Sequence, residues 1–221
     1  MIQHVYEKAA GIEMVSYVAV ATDDKRIFDS VNGFGGRAVM TSRRHRSGTD
    51  RIAEATENLG LENSDIVVNI QGDQPLFVPA QIEEVARPLI DDTSLDFSTL
   101  IYRIQREEEI HHPNAVKVAF DRDHFALYFS RSTIPYDRDG REPVSYYKHH
   151  GIYGYRRSFL RVFASLETGV LERIEALEQL RALENGYRIK VVETPHDSVE
   201  VDTPEELERV RTIIRKGRQN T

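Results

Sequence analysis

A short apolar run that ends in polar and acidic residues is the strongest chemical signal in this chain. Residues 66–70, Ile-Val-Val-Asn-Ile, are followed directly by Gln71, Gly72 and Asp73. A β-branched run of this kind is typical of a buried parallel strand, and ligands of open α/β sheets bind beyond the carboxyl ends of such strands. Asp73 is therefore a candidate ligand for a hard cation that carries phosphates. The alternative interpretation is a turn aspartate that accepts hydrogen bonds from nearby backbone amides.

A second acidic residue stands at a predicted helix start near the carboxyl terminus. Thr203 fits the N-cap, Pro204 fits the first helical position, and Glu206 completes a capping box. Asp202 lies just outside this cap. It becomes a second candidate metal ligand only if the fold brings it near Asp73, and capping alone makes it a structural residue.

Composition narrows the class of protein. The chain has 221 residues, of which 40% are hydrophobic, enough for one α/β domain with at most a small appendage. No apolar run approaches the roughly 20 residues of a membrane span, and the amino terminus lacks the pattern of a signal peptide. The absence of cysteine excludes disulfides and fits a cytoplasmic protein, and the net charge of -7 argues against a general nucleic-acid binder. The basic stretch 43–46 is local and fits a solvated loop or a phosphate contact.

Strand and helix patterns alternate through the first half of the chain, which predicts a mostly parallel sheet. The second half includes a predicted antiparallel hairpin around the turn at 121–123. Predicted strands cover 16–21, 37–40, 66–70, 99–103, 115–120, 126–130, 150–155 and 187–192. Predicted helices cover 2–10, 26–32, 47–58, 79–87, 157–164 and 173–185, together with the helix that starts at 203. Pro88 is expected to stop the fourth of these helices.

Six segments, taken in order, resemble the 3-deoxy-manno-octulosonate cytidylyltransferase family. The resemblance spans nearly the whole chain, and the order of the motifs is more specific than any one of them. The segments are Ser-Gly-Thr-Asp-Arg-Ile-Ala-Glu at 47–54, Val-Asn-Ile-Gln-Gly-Asp at 68–73, Tyr-Phe-Ser-Arg at 128–131 with Ile-Pro-Tyr at 134–136, His-Gly-Ile-Tyr at 150–153, Leu-Glu-Gln-Leu-Arg at 177–181 and Val-Asp-Thr-Pro at 201–204.

The resemblance implies an enzyme that transfers CMP from CTP to the anomeric hydroxyl of 3-deoxy-D-manno-octulosonate (KDO) and releases pyrophosphate, for lipopolysaccharide biosynthesis. It also implies Mg²⁺, a Rossmann-like nucleotidyltransferase sheet, and a homodimer in which residues of about 112–160 form a dimerisation subdomain. Such transfers depend on neutralising charge around an in-line displacement.

Residue roles follow from the same resemblance. Asp73 and Asp202 are implied to be the catalytic carboxylates that hold Mg²⁺, which usually takes only one or two protein carboxylates. The nucleotide is expected to contact Gln71 and the turn formed by Ser47, Gly48, Thr49 and Asp50. The acidic sugar is expected to contact Arg131, His150, Tyr153, Glu178 and Gln179, with His149 as a competing candidate for His150. Without the resemblance, residues 47–50 fit an ordinary helix N-cap and Arg131 fits a surface charge. His150 then fits a structural histidine, and residues 178–181 fit the polar side of an amphipathic helix.

The start of the chain departs from the family pattern. The family opens with a strand and a basic, glycine-containing loop that grips the triphosphate, whereas Met1 matches the family just after that loop. Without this central strand, two neighbouring strands lose their shared partner and a buried face opens. Either the natural protein is longer and starts upstream, which we favour, or it is short and binds triphosphate abnormally. We hypothesise that these 221 residues alone have weak or no transferase activity.

Two further departures from the family pattern leave the identity of the sugar substrate undecided. Gln74 stands where the family usually has Glu, and Glu200 stands where it usually has Gly. The nearest alternative is thus a cytidylyltransferase for another acidic sugar, such as 8-amino-KDO. A glycosyltransferase with an Asp-x-Asp metal site at 121–123 or 137–139 is disfavoured, because both sit in predicted turns. A non-catalytic protein that binds or dimerises is the remaining alternative.

Overall fold

The computed structural model describes residues 1–45, 47–140, 144–197, 201 and 203–219. The strands are β1 (Val20–Thr22), β2 (Ala38–Met40), β3 (Ile66–Asn69), β4 (Phe97–Arg103), β5 (Lys117–Phe120), β6 (Ala126–Ser130), β7 (Tyr147–Arg156) and β8 (Lys190–Glu193). The helices are α1 (Ile2–Ala10), α2 (Lys25–Gly33), α3 (Gly48–Asn58), α4 (Pro79–Asp91), α5 (Glu107–His111), α6 (Arg157–Ser165), α7 (Val170–Glu175), α8 (Leu180–Glu184) and α9 (Pro204–Gln219).

Strand β7 is the centre of the larger sheet. Strand β4 runs antiparallel along one side of it, while β5 and β3 pair antiparallel with its beginning and its end on the other side. Strand β6 forms the predicted antiparallel hairpin with β5, and β8 pairs parallel with β4. The expectation of a mostly parallel sheet is therefore wrong for this sheet, which is mixed and largely antiparallel. A continuous apolar run indicates a strand that is covered on both faces, which is usual in parallel sheets, but here β3 is antiparallel to β7, because pairing with residues far away in sequence decides the direction.

A bulge interrupts β7 where the predicted sugar-site motif lies. Thr99 of β4 pairs with Tyr153, but the next residue, Leu100, pairs with His150. Gly151 and Ile152 are therefore extra residues in the ladder, and bulges of this kind re-aim side chains beside functional sites. The Thr99 hydroxyl lies 2.9 Å from the Ile152 carbonyl oxygen and 3.2 Å from that of His150, so it holds the bulge in place.

Most of the predicted helices form, with two differences. Helix α4 passes through Pro88 and ends at Asp91 instead of stopping at the proline. Leu89, which is 1% exposed, gives the reason, since its burial offsets the hydrogen bond that the proline removes. The single helix expected over 173–185 is divided into α7 and α8, because Ala176 adopts a left-handed conformation with φ of 52°.

Apolar side chains pack in two clusters. One contains stacked aromatic rings, with Phe97 and Tyr155 4.6 Å apart, against helix α6. The other joins α1 and α4 to the strands through Val5, Val85 and Ile152. Within the described chain, no helix combines the length and apolarity that a membrane crossing requires.

An apolar gap separates the two sheets. Among the described strands, β1 pairs only with β2, and β3 pairs only with β7. A cavity of about 1150 Å³, which we call the interstrand slot, is lined by all of β1 and β3 and by residues of α1, α3 and α4. The slot therefore lies between two strands, β1 and β3, that share no pairing partner among the described residues.

Candidate active site

A second cavity, of about 1090 Å³, opens where β3 ends and β7 bulges; we call it the site cavity. Six of the residues predicted to contact substrates lie on its wall, although they come from five separate parts of the chain. They are Ser47, Gln71, Arg131, Tyr153, Glu178 and Gln179. Gln71 and Glu178 also line the interstrand slot, so the two cavities adjoin there.

The predicted nucleotide turn is tied to the predicted sugar residues. Ser47 caps α3 by accepting a hydrogen bond from the Asp50 backbone amide at 3.1 Å. The Thr49 backbone amide and hydroxyl both donate to the Glu178 carboxylate, at 3.2 and 2.9 Å. The Thr49 hydroxyl also lies 3.0 Å from the buried Tyr155 hydroxyl, and burial followed by the Glu178 charge raises the Tyr155 pKa. Glu178 thus occupies the amino end of α3, where a negative charge is stabilised.

Two aromatic residues of β7 form the floor of the site cavity. The Tyr153 hydroxyl donates to Gln179 Oε1 at 3.2 Å, which fixes the orientation of that buried amide. His149 packs on Tyr153 with ring centroids 5.1 Å apart, and its Nε2 lies 3.0 Å from the Thr99 hydroxyl. Burial, with a smaller effect of His150, lowers the pKa of His149 to about 3, so its ring is neutral at neutral pH.

His150, the histidine chosen from the sequence, lies on the other side of β7. Its Nδ1 is 3.3 Å from Gln81 Nε2, its Nε2 is 3.7 Å from Asp197 Oδ1, and its ring stacks on Tyr102. His149, the competing candidate, lines the site cavity instead. Side chains of a strand alternate between its two faces, so adjacent histidines must separate, and the sequence does not say which of them faces the site.

Gly151 lets the Gln71 amide approach the β7 backbone closely. A Cβ added at residue 151 would lie 2.8 Å from Gln71 Nε2 and 3.1 Å from Gln74 Nε2. Distances this short require the amides to move, so glycine at this position is part of the cavity wall.

Arg131 is held at the cavity wall by backbone carbonyl groups. Its guanidinium donates to the carbonyl oxygens of Glu175, Pro113 and Ala176, at 2.7, 3.1 and 3.4 Å. Its own backbone amide donates to the Glu175 carboxylate at 2.9 Å. These bonds use three of its five N–H groups and leave the charge without a carboxylate partner in the described contacts.

Sequence reasoning missed Arg181, which holds the site together from behind. This buried guanidinium makes a two-pronged ion pair with Glu172, at 2.8 and 2.7 Å, and bonds Asp50 at 2.9 Å. Its Cζ lies 4.6 Å from the centre of the Phe163 ring. These partners raise its pKa further, the Glu172 hydrogen bond contributing most. Its place in the Leu-Glu-Gln-Leu-Arg motif was the available signal, but periodicity assigned that segment to a solvated helix face.

Asp73 follows β3 as predicted and is partly buried, but it is not part of either cavity wall. Its backbone carbonyl accepts a hydrogen bond from the Val201 amide at 3.1 Å, so the chain one residue before Asp202 in sequence lies against it. Asp202 itself is outside the described residues. Among those that are described, no cluster of three or more acidic or histidine side chains could enclose a metal ion. One or two carboxylates nevertheless suit Mg²⁺ that is also held by phosphate oxygens, so Asp73 fits such an ion.

The architecture is that of the α/β nucleotidyltransferases. It matches 4-diphosphocytidyl-2C-methyl-D-erythritol synthase with a TM-score of 0.63 at 11% identity, covering 96% of this chain and 87% of the other, a likeness of fold alone. The solved structure of a CMP:2-keto-3-deoxy-manno-octonic acid synthetase complexed with CTP matches with a TM-score of 0.90 at 41% identity, covering 98% of this chain and 88% of that one.

The sequence comparisons are more specific. Residues 1–190 match the model of the cytidylyltransferase family. The 3-deoxy-manno-octulosonate cytidylyltransferase of Syntrophus aciditrophicus is 71% identical over 97% of this chain and 86% of its own length. An 8-amino-3,8-dideoxy-manno-octulosonate cytidylyltransferase of Shewanella is 50% identical over 95% of this chain and 85% of its own length. The chain therefore belongs to the cytidylyltransferase family and groups with its octulosonate-specific members.

Proposed function

We propose that this protein transfers CMP from CTP to the anomeric hydroxyl of KDO, with release of pyrophosphate. The observation that carries the proposal is the convergence of Gln71, Arg131, Tyr153, Glu178 and Gln179 on one cavity beside the strand end that bears Asp73. Strand ends of α/β sheets are where nucleotides bind, and the remaining wall is polar enough for a sugar acid.

The cavity offers each substrate group a matching partner. Arg131 is the cation for the sugar carboxylate, because its remaining N–H groups match carboxylate geometry. The Tyr153–Gln179 pair and Glu178 supply hydrogen bonds for sugar hydroxyls. His149, neutral at neutral pH, takes the role assigned to His150 from the sequence. In the transfer, the anomeric hydroxyl loses its proton to solvent as its oxygen bonds the α-phosphorus, and the bond from that phosphorus to pyrophosphate breaks, so that pyrophosphate leaves with the electron pair.

Asp73 and Asp202 are the proposed holders of Mg²⁺. The Val201–Asp73 hydrogen bond supports this pairing, since it anchors the residue next to Asp202 at Asp73. When bound, the ion neutralises phosphate charge during the displacement. Gln71 and the amino end of α3 then hold the nucleoside beside the phosphates.

The proposed assembly is a homodimer that uses part of residues 112–160. Leu127 on β6 is 62% exposed, and β6 is an edge strand of the larger sheet. Ile174 and Val170 on α7 are 76% and 56% exposed. We propose that these exposed apolar side chains contribute to the surface that the second copy covers. Light scattering coupled to size exclusion measures the mass, and a monomeric mass contradicts the dimer.

Pyrophosphate release tests the activity. The 221-residue chain and a chain extended by its upstream genomic codons are each assayed with CTP, Mg²⁺ and KDO. We expect release that requires both substrates and Mg²⁺ and is much faster in the extended chain. Absence of release from both chains, when circular dichroism shows both to be folded, contradicts the proposal.

The acceptor has one close alternative. The similarity to an 8-amino-3,8-dideoxy-manno-octulosonate cytidylyltransferase favours testing the 8-amino sugar in parallel. The ratio of kcat/KM for the two sugars decides between them, because each assay uses the same CTP site.

A further inference from the structure

A buried charge cluster on the back of β7 holds the chain that follows β8. Lys148, whose side chain is 9% exposed, donates to Glu109 Oε1 at 2.7 Å and to Asp197 Oδ1 at 2.8 Å. His150 Nε2 completes the cluster at 3.7 Å from the same Asp197 oxygen. Burial alone raises the pKa of Asp197, but His150 and Lys148 outweigh it and hold that pKa below its usual range. The cluster does not line the site cavity.

The same segment is tied down at neighbouring residues. The Thr194 amide donates to the Ile101 carbonyl at 2.9 Å, which extends the pairing of β8 with β4. Gln81, buried on α4, donates to the His196 carbonyl at 3.3 Å. The chain from 194 to 197 is therefore fixed against β4, α4 and β7 together.

The segment next meets the candidate metal site. Val201 donates to the Asp73 carbonyl. Because Val201 is only four residues after Asp197, the two residues lie within roughly 14 Å of each other. Fixing Asp197 therefore restricts where Val201 can lie. Val201 in turn precedes Asp202, the second carboxylate of the proposed function.

We propose that Asp197, held by Lys148 and His150, is a positioning residue that keeps Val201 against Asp73 and so sets the geometry of the metal site. The effect on the metal site rests on the proposed function. The anchoring of Val201 by Asp197 does not depend on that function. Supporting residues outside a metal's direct ligands commonly determine its affinity in this way.

Asp197→Ala is a suitable test because the fold should tolerate it. Lys148 keeps its 2.7 Å ion pair with Glu109 after the change, so no buried charge loses its last partner. Asp197→Asn retains an oxygen that can accept from Lys148 and should have a smaller effect. Asp29→Ala is the matched control, since it removes an exposed ion pair with Lys25 at 2.8 Å.

Two measurements are made on each variant, prepared in the same upstream-extended chain as the pyrophosphate assay. Hydrogen exchange, followed by mass spectrometry, reports the Val201 amide. Electron paramagnetic resonance measures the affinity for Mn²⁺, which substitutes for Mg²⁺, in the presence of CTP. In Asp197→Ala we expect faster exchange at Val201 and about tenfold weaker Mn²⁺ binding. Asp197→Asn should fall between it and the wild type, and Asp29→Ala should match the wild type.

The outcomes separate the anchoring from the proposed function. Unchanged exchange at Val201 in Asp197→Ala overturns the anchoring. Faster exchange with unchanged Mn²⁺ affinity overturns the effect on the metal site. If the wild type binds no Mn²⁺ in the presence of CTP, the proposed function fails at this site, and so does the claim that Asp197 sets the geometry of the metal site. The exchange result still decides whether Asp197 holds Val201.

Discussion

Thr49 donates two hydrogen bonds to Glu178, one from its backbone amide and one from its hydroxyl, at 3.2 and 2.9 Å. These bonds join the amino end of α3 to the segment between α7 and α8, so the predicted nucleotide and sugar residues form one unit. The position of Glu178 therefore depends on a residue 129 positions away in sequence.

Removing the Thr49 hydroxyl should loosen this unit. Thr49→Val keeps the backbone bond to Glu178 but deletes the hydroxyl's bonds to Glu178 and Tyr155 in a fully buried position, so we expect the free energy of unfolding to fall by about 1–3 kcal/mol. We also expect a higher KM for the sugar acid. Thr49→Ser keeps the hydroxyl and is the control. Equal behaviour of the two variants in denaturant titrations and kinetics would show that the hydroxyl has no such role.

A methyl group at residue 151 should displace the Gln71 amide. Because the added Cβ of Gly151→Ala lies 2.8 Å from Gln71 Nε2, we expect a higher KM for CTP and a smaller change in kcat. Gly33→Ala is the control, since its Cβ meets no atom within 4 Å. Steady-state kinetics at varied CTP measure both constants, and an unchanged KM in Gly151→Ala contradicts the prediction.

Arg181 should be essential for stability more than for the chemical step. Arg181→Met leaves the buried Glu172 and the partly buried Asp50 without their cation, so we expect a loss of about 3–5 kcal/mol in the free energy of unfolding. Arg181→Lys keeps the charge but loses the paired geometry and should cost less. Urea denaturation measures both variants. A loss for Arg181→Met no larger than that for Arg181→Lys would argue against a structural charge at this position.

Buried histidine should make the protein less stable in mild acid. Burial lowers the folded-state pKa of His149 to about 3, whereas the unfolded side chain titrates near 6.5. Between these values the unfolded state binds the proton and the folded state does not. The stabilisation is therefore present above pH 6.5 and falls by about 1.4 kcal/mol per pH unit below it.

The variant His149→Gln tests this source of pH dependence. We expect its free energy of unfolding to vary less steeply between pH 6.5 and 4 than that of the wild type. Some slope should remain, because burial also lowers the pKa of His150. His111→Gln, a change at an exposed histidine, should leave the slope unchanged. A wild-type slope in His149→Gln would mean that His149 is already protonated in the folded state.

An apolar strand placed ahead of Met1 should fill the interstrand slot. Each buried Val, Leu or Ile side chain adds about 1.5–3 kcal/mol, and the strand also pairs the open edges of β1 and β3. We expect a higher Tm and loss of binding of an apolar fluorescent dye. A Gly/Ser extension of equal length is the control. If both extensions give the Tm of the 221-residue chain, the slot does not accept a strand.

The sequence by itself determined the local elements and the kinds of chemistry. The capping pattern at Ser47 and the hairpin of β5 and β6 form as predicted, because each depends on neighbours in the chain. The β-branched run of β3 also forms a strand, although it is antiparallel to β7 and not parallel as expected. Motif order indicated the family, which the comparisons confirmed. Of the residues predicted to contact the sugar, Arg131, Tyr153, Glu178 and Gln179 lie on one cavity wall, where His149 and not His150 joins them; their contact with the sugar stays a prediction.

Tertiary structure alone decided the direction of β7, its bulge at Gly151 and the break at Ala176. It also placed His149 toward the cavity and His150 toward Asp197, and it buried Arg181 between Glu172 and Asp50. These features result from contacts between residues far apart in sequence, so local patterns do not encode them. Periodicity states that a segment is amphipathic, but only packing determines which charged side chain is enclosed and by what partners.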